Sequence, residues 1–381
     1  MSAKGVLQKM HELKYKRIVI KVGSNILTGG NEELSCEVIA DLARQISSFR
    51  KMGGQCVLVS SGAVAAGKYI LGIKKATFET QTRQLCAAVG QSRLMHLYKQ
   101  SFDEHNVVIA QALLSKRDFT DRNGYLNARN TLFACLSNDV VCIVNENDVV
   151  SIDELRGLSF GDNDSLSALV ANMIDADLLL ILSDVGGLYD KNPSNHTDAK
   201  LIKIITKVDD NIKEMAIGEA GTRGTGGMTT KVTAAETAAK SGIPTIIAKG
   251  NEKDAIILAS IGQNNGTLFE PTHGRTESRK RFLTSNLTTK GQINIDSGAA
   301  KALKENKSSL LPKGVTGTKG SFKRGDTVAV CADDELLGYG FTNYSCEEIE
   351  QIKGCHSKDI ITLLGFICGD EIIHANNLVI M

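Results

Sequence analysis

Residues 17–30 are RIVIKVGSNILTGG. Arg17, Ile18, Val19 and Ile20 run into Lys21 and then Val22-Gly23-Ser24, the pattern of a buried parallel strand ending in a tight turn. A lysine at the carboxyl end of such a strand stands where open α/β sheets bind ligands. Two later stretches repeat the design: Val57-Leu58-Val59-Ser60-Ser61-Gly62-Ala63, and Gly224-Thr225-Gly226-Gly227-Met228. Glycine at these turns lets backbone N–H groups approach an anion, and each turn is expected to open a helix whose positive end faces it. Together the three stretches predict an α/β enzyme that handles phosphate, with Lys21 near the centre of its site.

Outward from this stretch, strands and helices alternate. Helical spacing marks Leu34 to Met52, Ala63 to Leu71 and Gln81 to Glu104, with strands at Gln55 to Ser60 and Val107 to Leu113. A polar loop, Ser115 to Gly124, is expected to lead into a helix that ends near Ser137, before a strand from Val140 to Val144. Asn145-Glu146-Asn147-Asp148 follows that strand, and Phe160-Gly161-Asp162-Asn163-Asp164 precedes a helix from Ser165 to Asp175. The apolar strand Asp177 to Leu182 opens into Ser183-Asp184. A strand and a helix are expected after Pro193, then a helix from Thr229 to Ser241 and a strand from Pro244 to Ala248. This alternation implies βαβ units and an open, mostly parallel sheet between helices. From about Pro271 the texture changes. Arg275, Arg279, Lys280 and Arg281 mark a linker over 271–288, and 289–373 reads as a small, mostly β domain with one helix, Gly298 to Lys304. The first domain is then 1–270.

Composition narrows the function classes. At 381 residues the chain has room for two or three domains with their own cores. Lys+Arg (44) nearly balances Asp+Glu (43), so nothing global points to nucleic acid or an anionic membrane. The absence of tryptophan and the 5% aromatic content argue against base-stacking platforms. Nine cysteines contain no C-x-x-C pair, and most stand in apolar runs as small hydrophobes, which fits a reducing cytosol. The chain shows no signal-peptide core and no long apolar run, and it is read as cytoplasmic.

Two lysines organise the chemistry. Lys231 falls in the first turn of the helix after Gly226-Gly227, where a cation opposes the helix dipole unless an anion lies between them. Lys21 and Lys231 with several backbone N–H groups would form a clamp for a transferring phosphoryl group. The segment GTGGMTTK lacks the G-x-x-x-x-G-K-[ST] spacing of a P-loop, and the chain also lacks the glycine loop and catalytic aspartate of protein kinases. Asp164 suits either an N-cap or an aspartate that orients both ammonium groups. Asp162 stands open between a turn acceptor and a similar role. Asn145, Asp148 and Asn163 could satisfy loop backbone or hold the ammonium and carboxylate of an amino acid. Ser183-Asp184 reads as a strand-end cap or a nucleotide contact. None of the seven histidines lies in these segments, so histidine acid–base catalysis has no support.

The motifs KVGS, VSSGAVAAG, AAVGQSRL, NENDVV, GDNDSLSA, SDVGGLY and GTGGMTTK, in this order, resemble the glutamate 5-kinase family, a branch of the amino-acid kinases. GQINIDSGAAKAL and SSLLPKGVTGTKGSFKRGD resemble the C-terminal PUA domain of that family. The resemblance covers nearly the whole chain. It implies the amino-acid kinase fold and ATP- and Mg²⁺-dependent phosphorylation of the γ-carboxylate of L-glutamate, the first step of proline biosynthesis. Lys21 and Lys231 would then act on the transferring phosphoryl group with Asp164 organising them. Ser61, Asp148 and Asn163 would contact glutamate, with Gly62 and Asn145 nearby. ATP would meet Lys21, Ser183, Asp184 and the run Thr225, Gly226, Gly227, Met228, Thr229, Thr230 and Lys231. Mg²⁺ would be held mainly by phosphates and water, with no protein ligand assigned. Feedback inhibition by proline, a homodimer or homotetramer, and a downstream glutamyl-phosphate reductase are further implications of the resemblance.

Two rival readings stand beside this one. A sister kinase for N-acetylglutamate or aspartate would lack the C-terminal domain and the NEND-to-GDND arrangement. An RNA-binding factor is suggested by the PUA domain, since such domains often touch RNA, and Lys313, Lys319, Lys323 and Arg324 form a local basic loop. The nearly neutral net charge weighs against it, and that loop reads better as solvated surface.

Overall fold

β1 (Arg17–Val22) lies at the centre of an eight-stranded sheet. A computed structural model describes residues 12–74, 79–150, 163–193, 195–218, 227–263, 265–271, 289–306, 308–333 and 335–381. The chain forms two compact units, Met1–Phe119 with Ala128–Gly274, and Thr120–Asn127 with Arg275–Met381.

In the first unit the strands are β1, β2 (Gln55–Ser60), β3 (Ile109–Leu114), β4 (Val141–Glu146), β5 (Leu178–Ser183), β6 (Ile204–Ile205), β7 (Thr245–Lys249) and β8 (Thr267–Phe269). Their order is β3-β4-β2-β1-β5-β7-β8-β6, parallel except for the β7–β8 pair. The helices up to β8 are α1 (Ser24–Leu27), α2 (Cys36–Lys51), α3 (Ala63–Ile70), α4 (Thr80–Asp103), α5 (Lys116–Thr120), α6 (Arg122–Ser137), α7 (Asn163–Met173), α8 (Asp210–Gly218), α9 (Met228–Lys240) and α10 (Ala255–Ser260), of which the last residue of α5 and the first six of α6 group with the second unit. Every residue of β4 and β5 is buried, as a parallel strand covered on both faces requires.

Strand alternation decides which side chains meet. Ile18, Ile20 and Val22 point into the core with α2, α4 and α10. Lys21 therefore projects from the other face, where α7 packs over β1, β2, β4 and β5. After β1 the chain moves to β2, and after β5 it moves the opposite way to β7, so the order reverses between β1 and β5. The crevice outside those carboxyl ends is the ligand position of open α/β sheets.

Glycine sets how closely α3 and α4 approach. A Cβ on Gly90 would stand 1.8 Å from the Ala63 carbonyl oxygen, and one on Gly67 would stand 1.8 Å from that of Cys86. No side chain fits at either place.

The second unit carries a five-stranded sheet ordered β10-β9-β11-β12-β13, from β9 (Gly291–Ile295), β10 (Val315–Gly320), β11 (Thr327–Ala332), β12 (Glu335–Phe341) and β13 (Leu378–Ile380). Its core holds Ile293, Phe322, Val328, Val330, Tyr344 and Ile349. Thr120–Asn127 groups with this unit: Arg122 pairs with Asp326, and Arg324 Nη2 donates to Asn127 Oδ1 at 2.8 Å.

Several elements differ from the sequence reading. The turn after Lys21 opens only the four-residue α1, because the chain turns back at Gly29 and Gly30, both at positive φ. The expected loop Ser115 to Gly124 holds α5 and the start of α6, with Asp118 accepting from the Ser115 N–H to cap the first. Asn145 and Glu146 lie within β4 rather than after it. The second unit has helices Cys346–Ile352 and Ile360–Leu364 beyond the single helix expected; Ser345 and Glu348 form a capping box that starts the first. The linker at 272–288, with Arg275, Arg279, Lys280 and Arg281, lies outside the described residues, as do Asp162, Thr225 and Gly226.

Candidate active site

Three ionic side chains meet at the carboxyl edge of β1. Lys21 Nζ lies 2.5 Å from Asp164 Oδ1, and Lys231 Nζ lies 3.3 Å from Asp164 Oδ2. Asp164 is fully buried and both lysines are 5% exposed. Lys21 comes from β1, Asp164 from the second residue of α7, and Lys231 from the first turn of α9. The Thr230 hydroxyl lies 2.8 Å from both Asp164 Oδ2 and the Gly227 carbonyl oxygen. Gly23 stands beside Lys21, and a Cβ there would be 3.6 Å from its ammonium.

The electrostatics of this triad are unusual for a closed interior. Burial pushes the Asp164 carboxyl upward, but the Lys21 and Lys231 charges and hydrogen bonds from Lys21 and Thr230 outweigh it, holding the carboxyl below its ordinary value. Asp164 is therefore ionised at neutral pH. Among the described residues, two ammonium groups share this one carboxylate, and the N-terminus of α9 adds positive potential beside them, an arrangement able to receive an anion.

A second group lies next to the triad. Asn163 Nδ2 is 2.9 Å from Ser61 Oγ, 3.1 Å from the Ser60 carbonyl oxygen and 3.0 Å from Asn145 Oδ1. Asn145 Nδ2 donates to Gln91 Oε1 at 2.9 Å, and Asn145 Oδ1 accepts from the Glu146 N–H at 2.9 Å. Ser61 follows β2, and Gly62, at φ +99°, caps α3. A side chain at Gly62 would be strained, and its Cβ would press on Leu27 at 3.1 Å. Asp148 stands beyond β4, with Arg83 Nη2 at 3.7 Å from its carboxylate.

At the end of β5, Ser183 Oγ donates to Asp184 Oδ1 at 3.1 Å, and Asn25 Nδ2 lies 3.5 Å from Asp184 Oδ2. Gly227 caps α9, Met228 is buried, and the Thr229 hydroxyl donates to the Ala216 carbonyl at 3.3 Å. The structure thus brings Lys21, Asp164, Thr230 and Lys231 together, and joins Ser61, Asn145 and Asn163 in one network. Gln91, Arg83 and Asn25, which the sequence reading does not single out, contact Asn145, Asp148 and Asp184. Gln91 stood in the quoted AAVGQSRL motif, where an amide on a long helix carries no signal of its own. Among the described residues, no group of three or more His, Cys, Asp or Glu side chains is arranged to hold a metal ion, and no helix is long and apolar enough to cross a membrane.

The model of the amino acid kinase family matches residues 16–249, more than half of the chain, and that of the PUA domain matches 291–364. The chain belongs to the amino acid kinase family. It is 48% identical over 373 residues to a glutamate 5-kinase of Dehalococcoides mccartyi (strain CBDB1), covering 98% of this chain and all of the relative. A glutamate 5-kinase of Herpetosiphon aurantiacus is 44% identical over 366 residues, 96% of this chain and 98% of its own. One of Trichlorobacter lovleyi is 44% identical over 379 residues, 99% of each.

Proposed function

We propose that this protein transfers the γ-phosphoryl group of ATP to the γ-carboxylate of L-glutamate, giving L-glutamyl 5-phosphate, the first step of proline biosynthesis. The convergence of Lys21 and Lys231 on Asp164 carries this reading. The substrate carboxylate is already ionised at neutral pH and needs no general base. The barrier is the approach of two anions, and a buried pair of ammonium groups held by one carboxylate lowers it by being in place beforehand. As the bond to the leaving ADP breaks, negative charge spreads over the phosphoryl oxygens, where Lys21 and Lys231 hold it.

Asn163 and Ser61 position the amino acid beside the triad, and Asp148 accepts from its α-ammonium. Ser183, Asp184 and the turn from Thr225 through Lys231 hold the nucleotide. The donor is ATP complexed with Mg²⁺, a cation that keeps several waters and binds chiefly through substrate phosphates. The same reading carries cytoplasmic location, a homo-oligomer, feedback inhibition by proline and a reductase that consumes the reactive acyl phosphate.

Trapping the product tests this directly. The protein is incubated with ATP, Mg²⁺ and hydroxylamine, and with glutamate, N-acetylglutamate or aspartate in turn. Hydroxamate should form with glutamate alone. Product from N-acetylglutamate or aspartate at a comparable rate would replace the proposal with a sister activity.

A further inference from the structure

The hydrogen bonds beside the triad fix the orientation of three amides, and one of them ends in a donor with no acceptor. Asn145 Oδ1 accepts from the main-chain N–H of Glu146, so Asn145 must turn its Nδ2 toward Gln91. Gln91 answers with Oε1, which leaves Nε2 facing away from the network. At the other end the Ser60 carbonyl can only accept, so Asn163 presents Nδ2 to it and turns Oδ1 away. Gln91 Nε2 and Asn163 Oδ1 are both buried, and neither has a hydrogen-bond partner among the described residues. A buried donor and a buried acceptor at the two ends of one chain of amides are positions for a ligand or a water.

We propose that Gln91 is a specificity-determining residue whose Nε2 donates to the α-carboxylate of the amino-acid substrate. The inference rests on the glutamate-kinase reading above. Position within the site selects the α-carboxylate. The γ-carboxylate must lie by Lys21 and Lys231, next to Asp164, whereas Gln91 stands two hydrogen bonds beyond Asn163, through Asn145. α4 lines that far end: Arg83 is 3.7 Å from Asp148, and Gln84 Nε2 donates to the Val149 carbonyl at 3.3 Å. Gln84 and Gln91 are two helical turns apart, on one face of α4. Gly90, by admitting the backbone of α3, seats Gln91 at this depth.

A water would serve the Gln91 amide as well as a carboxylate does, and substitution separates the two. Gln91→Glu keeps an oxygen to accept from Asn145 Nδ2 but replaces the outward donor with an acceptor. Water reverses its role to suit; a carboxylate is repelled. In the hydroxamate assay, Gln91→Glu should raise the KM for glutamate about 10- to 100-fold, with kcat and the KM for ATP within about threefold of wild type. Gln91→Met, of similar length and with neither amide atom, should raise it about tenfold. A glutamate KM within about threefold of wild type in Gln91→Glu would overturn the proposal, as would a fall in kcat matching the rise in KM. If Gln91→Glu does not fold, Gln91→Met decides by the same threshold. Wild-type protein that makes no hydroxamate from glutamate removes the functional reading and this proposal with it. Active wild type beside an indifferent variant removes only the role of Gln91.

Discussion

Lys21 and Lys231 share a single carboxylate, standing 2.5 Å and 3.3 Å from the two oxygens of Asp164. They belong to opposite ends of the first unit's sequence, so only the finished sheet brings them together. Electrostatic work is thereby done during folding. When the anionic substrates arrive, the cations are already desolvated and aimed.

Asp164→Asn should be strongly destabilising because it leaves two buried ammonium groups without their counter-charge. A loss of about 3 kcal/mol is expected by urea unfolding at pH 7. The sign with pH follows from a carboxyl held below its ordinary value in the folded state. The stabilisation is present above the unfolded value of about 4 and is lost as pH falls through the lower folded value. The gap between wild type and Asp164→Asn should therefore stay constant from pH 7 to about pH 5 and narrow only below about pH 4. A gap that closes between pH 7 and pH 6 would show a different group at work.

Asp148→Ala should act on affinity rather than turnover. Asp148 has Arg83 as a cationic neighbour, and the proposed function places it on the substrate's α-ammonium. Steady-state assays should show the KM for glutamate raised by about 10- to 100-fold and kcat within about threefold of wild type. A fall in kcat with KM unchanged would move Asp148 to the reacting end.

Gly90→Ala tests the packing that seats α4. A Cβ there would meet the Ala63 carbonyl oxygen at 1.8 Å, and that carbonyl is backbone with little room to shift. A loss of about 2–3 kcal/mol is expected, read as a lowered melting temperature. The KM for glutamate should rise with it, since the same helix carries Gln91. Wild-type stability would mean the two helices do not meet this closely.

Much of the fold was legible because its strands are apolar runs bounded by glycine turns; β2 spans Gln55–Ser60 as read, and α3 and α9 agree to within a residue or so. Lys21 and Lys231 were legible through their glycine turns. Asp164 was open between a cap and an ion partner, because sequence spacing cannot say what faces a helix's first turn. Gln91 was hidden for a related reason. Its position depends on how two glycines let α3 and α4 close together, and contact across helices leaves no local period. The start of α5 was lost in a run of polar and charged residues that reads equally as loop.

Lys231→Ala gives the most direct test of the clamp. Lys21 is still paired to Asp164, and under the proposed function the contact removed is one that strengthens as charge develops on the phosphoryl oxygens. Turnover should fall by about 10²- to 10³-fold while the dissociation constant for glutamate, measured by calorimetry, moves by less than about threefold. Equal losses in turnover and in glutamate binding would contradict a shared hold of Lys21 and Lys231 on the transferring group.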